Sequence, residues 1–353
     1  LASVNEQLLN KQVAHEIDVL GYGNALSKKV INILNKSDIS LFEKLRRILD
    51  ELPAGEINVK KLDKLLQTVF NTNNTAYSAA QNTIETELKA FTKQELSYQK
   101  NMIEKVAPVQ VKVISPEQVF AAGMAQPFQG QLLGEFFSKL SQQKQTMIND
   151  AVRMGVIEGK TTNEIVKVIR GSRELDYKDG MLAITRRNAD SVVLTAVGHF
   201  QNFAQESLYE ANDDIIKGYR YTATLDTRTT ELCASRDGNF YRIGQAKPAI
   251  PAHYRCRSRY TPVMKSFKEL GLDINEFDAS TRASMDGQVP EKVTYQDWLK
   301  NQSAARQDKV LGKQKAELFR SGQLTLDKFV SPSGHVYTLD ELSKLNDITL
   351  NND

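Results

Sequence analysis

What most limits how this chain can fold is a change of period near residue 212. Before it, apolar side chains recur at helical spacing: Leu41, Leu45, Ile48, Leu49 and Leu52, then Val59, Leu62, Leu65, Leu66, Val69 and Phe70, then Ile84, Leu88 and Phe91. Ser40 with Glu43 has the pattern of a helix start, and Pro53-Ala54-Gly55 that of a stop. The Asn- and Thr-rich stretch NTNNTAYSAAQNT predicts a pause between the second and third of these runs. From Lys217 the pattern alternates, KGYRYTATLDTRTTELCASRDGNFYRI, with Asp237-Gly238-Asn239 as a turn, which predicts a β-hairpin or small sheet. The expected class is therefore α+β, predominantly helical with a small β-containing C-terminal module.

Between these regimes, residues 107–131 hold Pro108, Pro116, Pro127 and several glycines, and VQVKVI alternates like a short strand. We read 1–106 as a helical arm, 107–131 as a linker with a short strand, 132–265 as a central domain and 266–353 as a C-terminal extension. Within the central domain Leu132, Leu133, Phe136, Phe137 and Leu140 open a helix. Gly159 then closes a helix and Thr161 with Glu164 opens the next. That spacing is common to packing hairpins and to DNA-reading pairs. A long amphipathic helix follows from Met181 to about Asn212, with His199 beside its apolar stripe, where a hydrogen-bonded buried histidine is expected.

Composition excludes some classes. The longest conspicuous uncharged run, residues 118–134, contains four glutamines, a proline and three glycines, too polar for a membrane span. LASVNEQLL has neither the basic nor the apolar region of a secretory signal. Two cysteines do not make a disulfide framework and suit a reducing compartment. No carboxylate cluster for two metals, glycine-rich phosphate loop or nucleophile elbow is evident, so no catalytic residue is assigned. A metal-dependent nuclease using Asp226 and His253 is the enzymatic alternative.

Charge is uneven. The net formal charge is +3, yet residues 217–265 hold ten basic and three acidic side chains. If the region around residue 255 is a strand, Arg255, Arg257 and Arg259 project on one face. With Arg228, Arg236 and Arg242 they form the expected contact set for DNA phosphates or an acidic partner. Cys233, His253 and Cys256, with nineteen residues between the first two and two between the last two, offer thiolate and imidazole at a spacing suited to a structural zinc. A Cys233–Cys256 disulfide, or simple packing of two small side chains beside a hydrogen-bonded histidine, is also open. Asp226, Asp237 or a water would supply a fourth ligand. The single tryptophan, Trp298, heads a short helix and is the expected hydrophobic anchor at an interface.

TLDTRTTELCASRDG followed by PAHYRCRS resembles the head morphogenesis domain of tailed-phage minor head proteins, the Mu F-like family. The matching positions are Asp226, Arg228, Thr229, Cys233, Asp237, Gly238, Pro251, His253, Cys256 and Arg257. One departs: the last cysteine of the family pattern is Ser258 here. The helices before this segment, and the tail from Val293 to Val330 with Trp298, Leu299, Gln307, Leu311, Gly312, Leu318 and Phe319, resemble the family's flanking regions. The resemblance implies a low-copy virion protein near the portal vertex, assembled in the bacterial cytoplasm. Its implied partners are the portal protein, capsid or other head proteins and packaged double-stranded DNA. In some members of the family the protein leaves with the genome.

Overall fold

The computed structural model describes residues 4–51, 59–175, 177–271 and 281–346, apart from the side chains of residues 59–61, 64 and 65. In chain order the elements are α1 (Val4–Asp50), α2 (Val59–Val106), α3 (Pro116–Ala125), α4 (Leu133–Ile157), α5 (Thr162–Arg170), α6 (Met181–Glu210), β1 (Ile216–Thr222), α7 (Glu231–Arg236), β2 (Phe240–Arg242), β3 (Arg259–Met264), β4 (Thr281–Ser284), β5 (Gly287–Pro290), α8 (Tyr295–Lys300), α9 (Ala304–Leu311), α10 (Lys313–Arg320) and α11 (Leu339–Asn346). The protein is α+β and mostly helical. Among the described residues, no helix is long and apolar enough to cross a membrane.

The chain forms two compact units: one from residues 1–18, 93–119 and 201–353, the other from 19–92 and 120–200. The second is helical. Leu26, Val30 and Leu34 of α1, Ala80, Ile84 and Leu88 of α2, Phe136 and Phe137 of α4, and Val193, Ala196 and Phe200 of α6 share one core. A second core joins Leu41 and Leu45 of α1, Leu66 and Val69 of α2, Ile148 and Val152 of α4, and Ile165 and Ile169 of α5. His199 lies among these helices, hydrogen-bonded through Nε2 to the Gly123 carbonyl at 3.0 Å. Burial pushes its pKa down, against that hydrogen bond.

Two sequence expectations fail here for one reason. α1 runs through Ser40 without starting there, and α2 runs through residues 71–83 without a pause. A helix-start residue stabilises by about 1 kcal/mol. Leu41 and Leu45 are fully buried, and each such leucine contributes about 1.5–3 kcal/mol, so the continuous stripe wins. In α2 the polar residues are accommodated without breaking the helix. Thr72, Thr75, Thr83 and Thr86 each donate to the carbonyl four residues back. Buried Asn73 donates across to the Ser141 carbonyl on α4 at 3.0 Å. The stop expected at Pro53-Ala54-Gly55 lies outside the described residues.

The α4–α5 hairpin follows its local code. Thr161 accepts from the Glu164 N–H while the Glu164 carboxylate accepts from the Thr161 N–H. Gly155 lets the two helices meet closely, since a Cβ there would sit 2.4 Å from Ile165 Cγ1.

In the other unit, a three-stranded antiparallel sheet has the order β2-β1-β3. Tyr219 faces Tyr241 across one edge, and Tyr221 faces Tyr260 across the other. The predicted small sheet is present, but α7 is inserted between β1 and the Asp237-Gly238-Asn239 turn, so β1 and β2 are not a simple hairpin. The strand expected at VQVKVI does not form. The side chain of Asn212 pairs with that backbone instead, accepting from the Lys112 N–H at 2.7 Å and donating to the Lys112 carbonyl at 3.2 Å. After the β4–β5 hairpin, α8 to α11 close over a core containing Trp298, Leu299, Leu311, Phe319 and Phe329, which also takes in Leu225 and Ala234.

Candidate functional site: a cysteine and histidine cluster under a basic sheet

Cys233 stands in the first turn of α7, whose preceding residue, Thr230, accepts from the Cys233 N–H at 3.3 Å. His253 and Cys256 sit on a tight turn closed by the Cys256 N–H to the His253 carbonyl at 3.2 Å, with Arg255 at φ +56°. Fold and turn bring the three side chains together. Cys233 Sγ lies 3.3 Å from His253 Nε2 and 3.8 Å from Cys256 Sγ. The other imidazole nitrogen, Nδ1, is 2.9 Å from the Tyr254 carbonyl. Both cysteines are buried and free, so the disulfide reading is not realised in this structure.

The cluster passes a simple test for a metal. The three candidate ligand atoms all lie within 4.8 Å of one another. A tetrahedral zinc with sulfur at about 2.3 Å requires S···S edges of roughly 3.8 Å, and the sulfur separation here is 3.8 Å. Asp226 and Asp237, two of the expected fourth ligands, are engaged elsewhere. Asp226 receives both Arg257 terminal nitrogens, at 2.6 and 2.9 Å. Asp237 receives Arg282 at 2.9 and 3.2 Å together with the Ala223 and Tyr295 N–H groups. Ser258, at the position where the resembled pattern has its last cysteine, is buried. Tyr221 Oη donates to Cys233 Sγ at 3.3 Å from the sheet side.

These contacts polarise the pair of thiols. Hydrogen bonding from Cys256, outweighing burial and aided by His253, Ser258 and Tyr221, holds Cys233 well below the usual thiol range. Cys256 is pushed up, first by that same bond and then by burial. The Cys233 contact raises His253 against the opposing effect of burial. Two cysteine sulfurs facing an imidazole are a donor set that zinc prefers.

The arginines do not form the common face expected from strand alternation. Arg259, in β3, is 3% exposed and ion-paired with Glu16. Arg257 is half-buried against Asp226. Arg255 precedes β3 and is exposed, as are Arg228 and Arg242, whereas Arg236 is half-buried. Other cations of the basic window are also matched by carboxylates: Lys217 with Glu269 at 3.0 Å, Arg220 with Glu291 at 2.5 Å and Lys247 with Glu206 at 2.8 Å. Trp298 is 2% exposed, its Nε1 donating to Asp286 Oδ2 at 3.2 Å. It packs in the core shared with Leu225 and Ala234.

The sequence reading missed two participants. Tyr221 was signalled by the Tyr219/Tyr221 alternation, which puts both rings on the buried face. Arg282, buried against Asp237, had no local signal, since 45 residues separate the partners.

Comparison with known proteins agrees with the motifs. A family model described as Phage Mu protein F like protein matches residues 146–261, a span running from α4 through the cluster into β3. No curated protein and no solved structure gives a significant match. The match points to phage head morphogenesis, and the resemblance read from Asp226 to Arg257 is supported over the whole of that span: residues 146–261 carry the Phage Mu protein F like signature.

Proposed function

We propose that the chain is a non-enzymatic minor head protein of a tailed phage, acting at the portal vertex during head assembly. The observation that carries this reading is the family match over residues 146–261, with the Cys233–His253–Cys256 cluster inside it. In this reading the helices of residues 1–106 dock on the portal protein, and residues 132–265 form the head-morphogenesis domain. The extension 266–353 is anchored by Trp298. Cys233, His253 and Cys256 hold a structural zinc, with the Ser258 hydroxyl or a water completing the set. When bound, the ion supplies a cross-link between α7 and the His253 turn, which are otherwise joined by the Thr230 Oγ1–His253 Nε2 hydrogen bond at 3.1 Å and by weak thiol contacts.

The test is co-assembly. Portal protein expressed with this chain should co-purify with it and incorporate it into heads, and Ile17→Asp, at a position of α1 that is 71% exposed, should abolish incorporation without unfolding the chain. Normal incorporation of this folded variant would reject the docking assignment. Elemental analysis should find about one zinc per chain with thiols protected until denaturation, and His253→Ala should release it. Metal-free protein with two freely titrating thiols would reject the zinc.

Exposure of Arg228, Arg242 and Arg255 supports a second reading, in which the module also touches packaged DNA. Neutralising the three should flatten the dependence of log K on log salt, by about 0.9 for each phosphate that is no longer neutralised. An unchanged slope would reject it.

A further inference from the structure

The cluster of Cys233, His253 and Cys256 offers one donor fewer than a closed zinc site takes. A structural zinc is bound by four donors, whereas a site with three protein donors leaves the fourth position to a ligand from outside. Among the described residues, no further histidine, cysteine, aspartate or glutamate joins the three. The carboxylates nearest in sequence to Cys233 are committed elsewhere. Asp226 holds Arg257 and Asp237 holds Arg282, and Glu231, two residues before Cys233 in α7, takes Lys315 at 2.7 Å.

The remaining polar side chains at hand are hydroxyls. Tyr221 Oη meets Cys233 Sγ at 3.3 Å, Thr230 Oγ1 lies 3.1 Å from His253 Nε2, and Ser258 is buried two residues beyond Cys256. Neutral hydroxyls are not among the groups zinc selects, which are thiolate, imidazole and carboxylate. The cluster is also not sealed on every side. Both cysteines are buried, but Thr230 is exposed and His253 half-buried, so the imidazole end reaches the surface beside exposed Tyr254. Charge narrows what can bind there. Two thiolates neutralise a divalent ion, so an anionic fourth donor would bring an uncompensated negative charge into a mostly buried site. Arg257 does not offset it, because both its terminal nitrogens are on Asp226, at 2.6 and 2.9 Å. A neutral nitrogen donor adds no charge and matches the softness of the set.

We propose that the fourth position of this site is exchangeable and receives an imidazole from outside the chain, the side chain of a histidine on a neighbouring protein. The proposal rests on the zinc reading above and goes beyond it, since the site becomes a point of attachment between chains as well as an internal cross-link.

The test uses the full-length chain loaded with cobalt(II), whose visible absorption reports the donors around the ion. Imidazole and N-acetylhistidine amide should each shift the cobalt bands saturably, with the cobalt retained on the chain. Both should bind at least about tenfold more tightly than azide, an anionic nitrogen donor. Ser258→Ala should leave the spectrum and the imidazole shift unchanged. A chain that takes up no cobalt would overturn the zinc reading and the proposal with it. Bound cobalt whose spectrum is indifferent to imidazole would overturn the proposal alone, as would a spectrum altered by Ser258→Ala, which would make that hydroxyl the fourth donor. Azide binding as tightly as imidazole would overturn the choice of a neutral donor, and a shift with imidazole but none with the blocked histidine would overturn the assignment to a side chain.

Discussion

Asp237 ties three parts of the sheet-containing unit together, accepting from the Ala223 N–H after β1, the Tyr295 N–H at the start of α8 and the buried Arg282 guanidinium of β4. Removing one member of such a buried pair strands the other charge. Asp237→Ala should therefore cost about 3–5 kcal/mol in urea unfolding, and a loss below about 1 kcal/mol would show that the pair behaves like a surface contact. Asp226 gives a pH signature. Burial raises its pKa, but the hydrogen bonds and charge of Arg257 outweigh this and hold it below the usual carboxylate value. A depressed native pKa contributes stability above the unfolded value of about 3.9 and loses it as pH falls through the lower native one. The stability difference between wild type and Asp226→Asn should accordingly be largest near neutrality and shrink below about pH 4; a difference that grows in acid would reject the assignment. The grouping of Cys233, His253 and Cys256 was legible in the sequence because their residue types and short spacings are themselves informative, whereas Asp226 was singled out as a metal ligand and pairs with Arg257 instead. Asp237 was legible only as a turn residue, because Asp-Gly explains itself locally while its partners lie 14, 45 and 58 residues away.

Among the elements, two identical-looking signals had opposite fates. Thr161 with Glu164 starts α5, but Ser40 with Glu43 starts nothing. The first follows Gly159, whose φ of +68° has already ended the preceding helix, whereas the second lies inside a buried stripe from Leu34 to Leu45. Capping patterns thus decide a boundary only where packing leaves it open. α7 was hidden because six residues are too few to show a period, and the strand at VQVKVI failed because alternation needs a partner strand that Asn212 replaces. The α4–α5 crossing can be tested directly. Gly155→Ala drives a methyl group into Ile165 and should destabilise by about 1–3 kcal/mol, and adding Ile165→Ala should recover part of the loss in a double-mutant cycle. Additive losses would mean that the helices move apart instead.

For the whole molecule, periodicity revealed which face of each helix is apolar but not which stripe it meets. Each compact unit is assembled from separated stretches of chain, with the three longest helices divided between them. The same blindness affected charge. A window of ten cations looks like a polyanion-binding surface when counted along the chain, yet Glu16, Glu269 and Glu291, all from outside residues 146–261, neutralise Arg259, Lys217 and Arg220. Cutting out residues 146–261 would strip those three cations of their counter-charges while also severing the edge strand β3 after Thr261. The excised piece should be retained on heparin to a higher salt concentration than the full chain, and equal elution would mean that the distant carboxylates do not screen it. Nucleic-acid affinity measured on such a fragment would therefore report the cut itself, and any assay of what this module binds has to keep Glu16 and the residues beyond Met264 attached.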